Sequence, residues 1–168
     1  TQGYDANGNL VTVLDPLSRT TSQLFDARNR MTEVRDPVNG PTFPTRYAYN
    51  GQDQLTQVVD PKGLATNYAV NGHGETFSLS SPDTGTTNYT FDPASNLKTR
   101  LDARNVLATY TYDALNRITQ IAYPDETVAY AYDTCTNGIG RLCSVADRTG
   151  TTAWTYDLKG RVTSKTQT

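Results

Sequence analysis

Polar turn-forming residues interrupt this chain every eight to twelve residues or so, and only short runs lie between them. Runs such as "LTQVV" (55–59), "ITQIA" (118–122) and "LATYTY" (107–112) are rich in Thr, Val, Ile and Tyr. Those residue types fit a pleated, half-buried surface, so each run reads as a strand. No segment between turns is long enough to develop a helical stripe, and helix is predicted nowhere.

The strands recur in register. A phrase of aromatic, any residue, aromatic, then Asp or Asn returns along the whole chain. Its second aromatic falls at Tyr4, Phe25, Tyr49, Phe91, Tyr112, Tyr132 and Tyr156, with Val70 the one exception. Successive copies lie 21, 24, 21, 21, 21, 20 and 24 residues apart. The first aromatic of the phrase is Tyr47, Tyr68, Tyr89, Tyr110, Tyr130 or Trp154, with Gln23 out of pattern. The acidic or amide residue is Asp5, Asp26, Asn50, Asn71, Asp92, Asp113, Asp133 or Asp157. A fixed period of this length marks a repeat protein, with units beginning near 4, 25, 49, 70, 91, 112, 132 and 156 in a single array over 1–168.

Each unit contains two turns. The first reads "DANGN", "DARNR", "DALNR" or "DLKGR". Asp and Asn side chains bond the backbone two residues on, and Gly or Asn accepts positive φ. The second turn reads "DPLS", "DPVNG", "DPKG", "DARN" or "DRTG", where Asp, Pro and Gly sit as a type I turn requires. A unit is therefore two short antiparallel strands, and the chain is an all-β meander of roughly fifteen strands. A sheet that wide is expected to curl into a spiral shell or tube.

The face pattern is less simple. The two aromatics of a phrase are two residues apart and share a face. The apolar pairs of the other strand are three apart: Leu10/Val13, Met31/Val34, Leu55/Val58, Ile118/Ile121 and Leu142/Val145. They fall on opposite faces unless a bulge intervenes, which predicts a thin wall with both faces half apolar. Length varies locally. "DPVNGPTFPTRYAY" adds three residues to its turn and carries Pro41 and Pro44, "YPDET" (123–127) is trimmed, and "DTCTNGIGR" (133–141) is enlarged.

Composition narrows the functional classes. Hydrophobic residues make up 36% of the 168, below the roughly 45–50% of an ordinary globular domain, so no thick core is expected. Frequent, evenly placed aromatics and nearly cancelling charges argue against disorder. A net charge of −2 without a Lys/Arg cluster argues against nucleic acid. No apolar run approaches the length of a helical membrane span, so no membrane insertion is expected. The chain begins at Thr1 and shows no signal peptide, which suggests a segment of a longer or processed protein.

The motif "YDxxGRL", present as "YDLKGRV" (156–162), "YDALNRI" (112–118) and "YDANGNL" (4–10), resembles the RHS or YD-repeat family over essentially the whole chain. The resemblance implies a long spiralling β-sheet that closes into a hollow shell. In bacterial toxin complexes of this family such a shell encloses a cytotoxic C-terminal segment, and related repeats occur in wall-associated proteins and teneurin-type receptors. It implies an exported, non-enzymatic scaffold that packs against flanking repeats of its parent chain and sequesters a toxin domain. A second expectation is an extracellular tube, filament or adhesion scaffold, because open sheet edges are templates for end-to-end self-association.

Candidate chemistry lies in departures from the phrase. Cys135 and Cys143 flank the enlarged loop. Free thiols and a metal site are the alternatives, but a metal needs more ligands, and the single histidine, His73, is far away in sequence. A disulfide offsetting the entropy of the insertion is the expectation, given an oxidising compartment. "DPKGL" (60–64) matches the end of the family's self-cleavage site. It lacks the Pro-rich lead-in and sits in register with Asp15/Pro16 and Asp36/Pro37, so it reads as a turn. His73 in "VNGHGE" has no paired nucleophile and reads as a solvated turn residue. The turn carboxylates are too few per site for calcium and read as caps. The formal sequon "NYT" (88–90) falls inside a strand. The aromatics read as packing that holds repeats in register rather than as a sugar or base platform. No cofactor and no catalytic residue is expected.

Overall fold

A computed structural model describes residues 1–38 and 42–168. Among these the chain is all strand and turn, with strands hydrogen-bonded in chain order from first to last and every characterised pair antiparallel. It divides into two compact units, Thr1–Thr87 and Asn88–Thr168.

The first unit contains β1 (Gln2–Tyr4), β2 (Leu10–Leu14), β3 (Thr20–Phe25), β4 (Met31–Arg35), β5 (Thr45–Tyr49), β6 (Leu55–Val59), β7 (Ala65–Val70) and β8 (Thr76–Ser81). Strand β9 (Gly85–Phe91) begins just before the division and pairs forward into the second unit. That unit continues with β10 (Leu97–Leu101), β11 (Leu107–Tyr112), β12 (Ile118–Ala122), β13 (Thr127–Tyr132), β14 (Leu142–Asp147), β15 (Gly150–Tyr156) and β16 (Val162–Gln167). Sixteen strands are thus described, one more than the repeat count predicts. The proline-bearing insertion before β5 lies partly outside the described residues, and of its two prolines only Pro44 is described, where it is buried.

The expected division of apolar residues between both faces is corrected by a bulge in each repeat. In β5 and β6, Tyr49 pairs with Leu55 and Tyr47 with Val58, while the register shifts between Ala48 and Tyr49. Thr56 is the extra residue, so the three-residue spacing of Leu55 and Val58 becomes a same-face spacing. The shift recurs beside Phe25, Val70, Tyr112, Tyr132 and Tyr156. Hydroxyls serve the kink: Thr56 Oγ1 donates to the Ala48 carbonyl at 3.2 Å and Thr32 Oγ1 to the Leu24 carbonyl at 3.3 Å.

One face therefore carries the aromatics together with Val, Ile and Leu, while the other carries mainly Ala, Ser, Thr and Gln. Rows such as Tyr110–Ile121–Val128 and Thr111–Gln120–Ala129 show the contrast directly. The tyrosines do not oppose one another in the ladder. Apart from Tyr89, which faces Arg100, each ladder tyrosine faces an aliphatic residue, and that cross-strand pair is the repeated packing unit. Among the described residues Ala108 and Cys143 are the buried hydrophobics, which is what a wall one strand thick allows.

Candidate functional site

The second turns at Asp15, Asp60 and Asp102 share the geometry of the first, whereas Asp147 faces Gly150 across a two-residue turn. At Asp26 the backbone N–H donates to the Arg30 carbonyl at 2.9 Å, and the Asn29 N–H returns to the Asp26 carbonyl at 3.0 Å. Asp26 Oδ1 accepts the N–H groups of Arg28 and Arg30 at 2.9 and 3.0 Å. The second-turn residues Asp15, Asp60 and Asp102 accept from the same relative positions. The fourth residue is left-handed in both types, as at Asn29, Asp53 and Asn116 or at Ser18 and Asn105. This is a three-residue hairpin loop, a type I turn closed by an αL residue. Asp60 of "DPKGL" is thus a turn cap, and exposed His73 lies in the corresponding turn of Asn71.

The residue four places after the phrase Asp does what the turn pattern alone did not reveal. Arg30 Nε donates to Asp26 Oδ2 at 2.8 Å, and its Nη1 reaches into the next repeat, to the Asn50 carbonyl at 3.1 Å and Asp53 Oδ1 at 2.7 Å. The same guanidinium lies over the Tyr49 ring, 4.8 Å from its centroid. Arg117 bonds Asp113 behind it and Asp133 ahead at 2.7 and 2.6 Å, and covers Tyr132 at 4.4 Å. Where the residue is Asn, the bridge is shorter: Asn9 Nδ2 to Asn29 Oδ1 and Asn96 Nδ2 to Asn116 Oδ1, both 2.9 Å. Where the phrase carries Asn instead of Asp, the partner becomes an acceptor, so Asn50 Nδ2 donates to Gln54 Oε1 and Asn71 Nδ2 to Glu75 Oε2.

The phrase tyrosine returns the link. Tyr49 Oη donates to the Met31 carbonyl at 2.8 Å, Tyr112 Oη to Leu97 at 2.8 Å and Tyr156 Oη to Leu142 at 2.7 Å. The junctions at Tyr49, Tyr112 and Tyr156 are therefore tied by a side chain passed forward and a hydroxyl passed back. The bonded guanidinium and backbone donors hold the Asp26 carboxyl down at about 2, and the Asp5, Asp92, Asp113 and Asp157 carboxyls are lowered by their own turn donors. Burial pushes the Tyr112 and Tyr130 phenols up.

The remaining aromatics, Tyr68, Tyr89, Phe91, Tyr110, Tyr130 and Trp154, lie half-buried on the shared face, and Phe25 sits there at its bulge. Tyr4, at the first strand, is exposed and bonds Gln2. Asn88 of the sequon lies in β9 and is exposed. Among the described residues no group of three or more His, Cys, Asp or Glu side chains is placed to hold a metal.

Cys135 and Cys143 are joined as a disulfide, with Cα atoms 5.4 Å apart. Cys143 stands where the bulge residue is Thr in β4, β6, β12 and β16. A Cβ on Gly138 would run into both sulfur atoms, so the loop closes only over a glycine. The loop then reaches the next repeat. The Tyr156 N–H donates to the Thr136 carbonyl at 3.1 Å, and Asn137 Nδ2 donates to the Tyr156 carbonyl at 2.7 Å. Arg141 covers the Tyr156 ring at 5.6 Å and occupies the space a side chain at Gly160 would need.

The profile of the RHS Repeat family matches residues 4–40, 25–65 and 91–128, together more than half of the chain. The chain belongs to the RHS repeat family. Solved structures carry the same fold. A crystal structure of TcdB2-TccC3 aligns at a TM-score of 0.73 with 18% identity, covering 99% of this chain and 11% of that one. A Tc holotoxin pore of Photorhabdus luminescens aligns at 0.74 with 16% identity, covering 99% and 10%. A third, TcdB2-TccC3 without its hypervariable C-terminal region, aligns at 0.72 with 18% identity. The RHS chain thus spans about a tenth of the length of these neighbours. No curated protein sequence matches it.

Proposed function

We propose that this RHS segment is a structural, non-catalytic stretch of wall in an exported β-shell that encloses a toxin or other protein cargo. The observation that carries the reading is the repeat-to-repeat tie. The recurring side chains, from Tyr49 Oη on Met31 to Arg30 on Asp53, are engaged in joining one repeat to the next. The likeness in fold to Tc toxin structures supports the shell, and a disulfide in an exposed loop supports an oxidising compartment.

Protease protection tests it. In the parent protein, sequence flanking the repeats should resist digestion while the wall is intact and become cleavable once Arg30 and Arg117 are replaced. Flanking sequence that is cut at the same rate with and without those substitutions would sink the shell. Elongated particles that lengthen with protein concentration would instead favour the self-assembling tube.

A further inference from the structure

The polar face of the first unit breaks its own rule once. At the seven positions equivalent to Glu33 in the other repeats stand Thr12, Gln57, Ser78, Thr99, Gln120, Ser144 and Ser164, all uncharged. Glu33 is 8% exposed. The ladder aligns Leu24, Glu33, Arg46 and Val59 in one row across β3, β4, β5 and β6, and Arg35 follows Glu33 on the same face. Burial of a carboxylate is costly unless it is paired. Here Arg35 Nε and Arg46 Nε each donate to one of its oxygens, the latter at 3.0 Å.

Holding both arginines by Nε leaves their Nη edges facing outward. The Arg46 side chain is 59% exposed. It stands between two grooves. One, about 360 Å³, is lined by Leu24, Ala48, Gln57 and Val59, with Glu33 at its base. The other, about 300 Å³, is lined by Phe43, Pro44 and Pro61 together with Asp60 and Lys62. Leu24 and Phe43 are large apolar side chains left 48% and 57% exposed. The local charges are Arg35, Arg46 and Lys62 against Glu33 and Asp60, and Asp60 Oδ1 is committed to the Lys62 and Leu64 N–H groups of its own turn.

We infer that this groove docks a protein segment in which a carboxylate side chain is flanked by apolar residues, the carboxylate seated on Arg46 and its neighbours in the two apolar grooves. A guanidinium edge pre-oriented by a buried acid is suited to bidentate carboxylate recognition, and the apolar walls on either side favour a peptide over a sugar. The inference goes beyond the shell reading and fails separately from it, because it concerns binding by this chain whatever the parent encloses.

The test is an NMR titration of the whole 168-residue chain with the blocked peptide acetyl-Ala-Leu-Glu-Leu-Ala-amide. Amide shifts confined to Leu24, Arg46, Gln57 and Val59 are expected, with at least a fivefold (about 1 kcal/mol) weaker response to the Gln counterpart. Arg46→Gln should abolish that preference, and Arg35→Gln, which leaves Arg46 in place, should reduce it. Arg148→Gln, in the second unit, should leave it unchanged. Equal binding of the Glu and Gln peptides, shifts spread away from this groove, or a preference that survives in a folded Arg46→Gln chain would overturn the inference.

Discussion

The turn at 113–117 and the loop at 133–141 stand at the same point of consecutive repeats, and each hands something to the repeat that follows. In the first, a side chain makes the crossing: Arg117 leaves the Asp113 carboxylate and reaches Asp133 and the Tyr132 ring. In the second, the main chain itself is brought across. Four extra residues fold back under a disulfide, and Thr136 and Asn137 take both backbone groups of Tyr156. Tyr156 sits at a bulge, where the ladder leaves backbone groups short of partners. The insertion is therefore a covalently closed clamp on Tyr156.

If so, the clamp should break first at Gly138. Gly138→Ala puts a methyl against both sulfurs and should cost about 2–3 kcal/mol, or leave two titratable thiols. Thiol counting without reductant, beside thermal melting, decides between those outcomes, and a fully oxidised variant with unchanged melting would mean the loop has slack. The paired change Cys135→Ser with Cys143→Ser is next. Closing a loop of this length is worth about 2.5 kcal/mol by chain entropy. The sharper readout is local: the Tyr156 amide should lose hydrogen-exchange protection while the Tyr132 amide keeps it.

Arg117→Met probes the ordinary turn. It removes two ion pairs and a ring contact, and should lower the melting temperature by less than either change to the clamp. Arg117→Lys should restore little, because a point charge cannot span both carboxylates and stack on the ring as well. A melting temperature that recovered fully with Lys would reduce the link to simple charge.

Much of this was legible in the sequence, and the gaps have specific causes. The paired aromatics and the Asx residue announced hairpins because turn chemistry is local. The role of the fourth residue was in view, in "DARNR" and "DALNR", yet it acts on a neighbour some twenty residues away, and local turn rules do not extend that far. Its signal was complementarity: Asp is followed by a donor in Arg30 and Arg117, whereas Asn50 and Asn71 are followed by the acceptors Gln54 and Glu75. The bulge was hinted at by the three-residue spacing of Leu55 and Val58, but only the register shows which face both occupy. Glu33, Arg35 and Arg46 were invisible as a group, since Arg46 lies on the next strand and only the folded sheet brings it beside Glu33.

The smallest effect expected is that of acid on the carboxylate turns, and it separates the two regions again. Asp26 is held at about 2 by Arg30, below the ordinary aspartate value of about 3.9. A folded-state value below the unfolded one means that this group stabilises the fold fully above about pH 4 and stops doing so as pH falls through about 2. Exposure to solvent screens each such turn, so the loss should be gradual rather than a single collapse. Carboxyl shifts followed by NMR should show Asp26 titrating near 2 and returning toward the ordinary value in Arg30→Met. The Tyr156 amide, clamped by a disulfide and backbone bonds that do not titrate in this range, should stay protected after the Asp26 turn has loosened. If both regions opened together as acid was added, the clamp would be adding nothing that the carboxylate turns do not already supply.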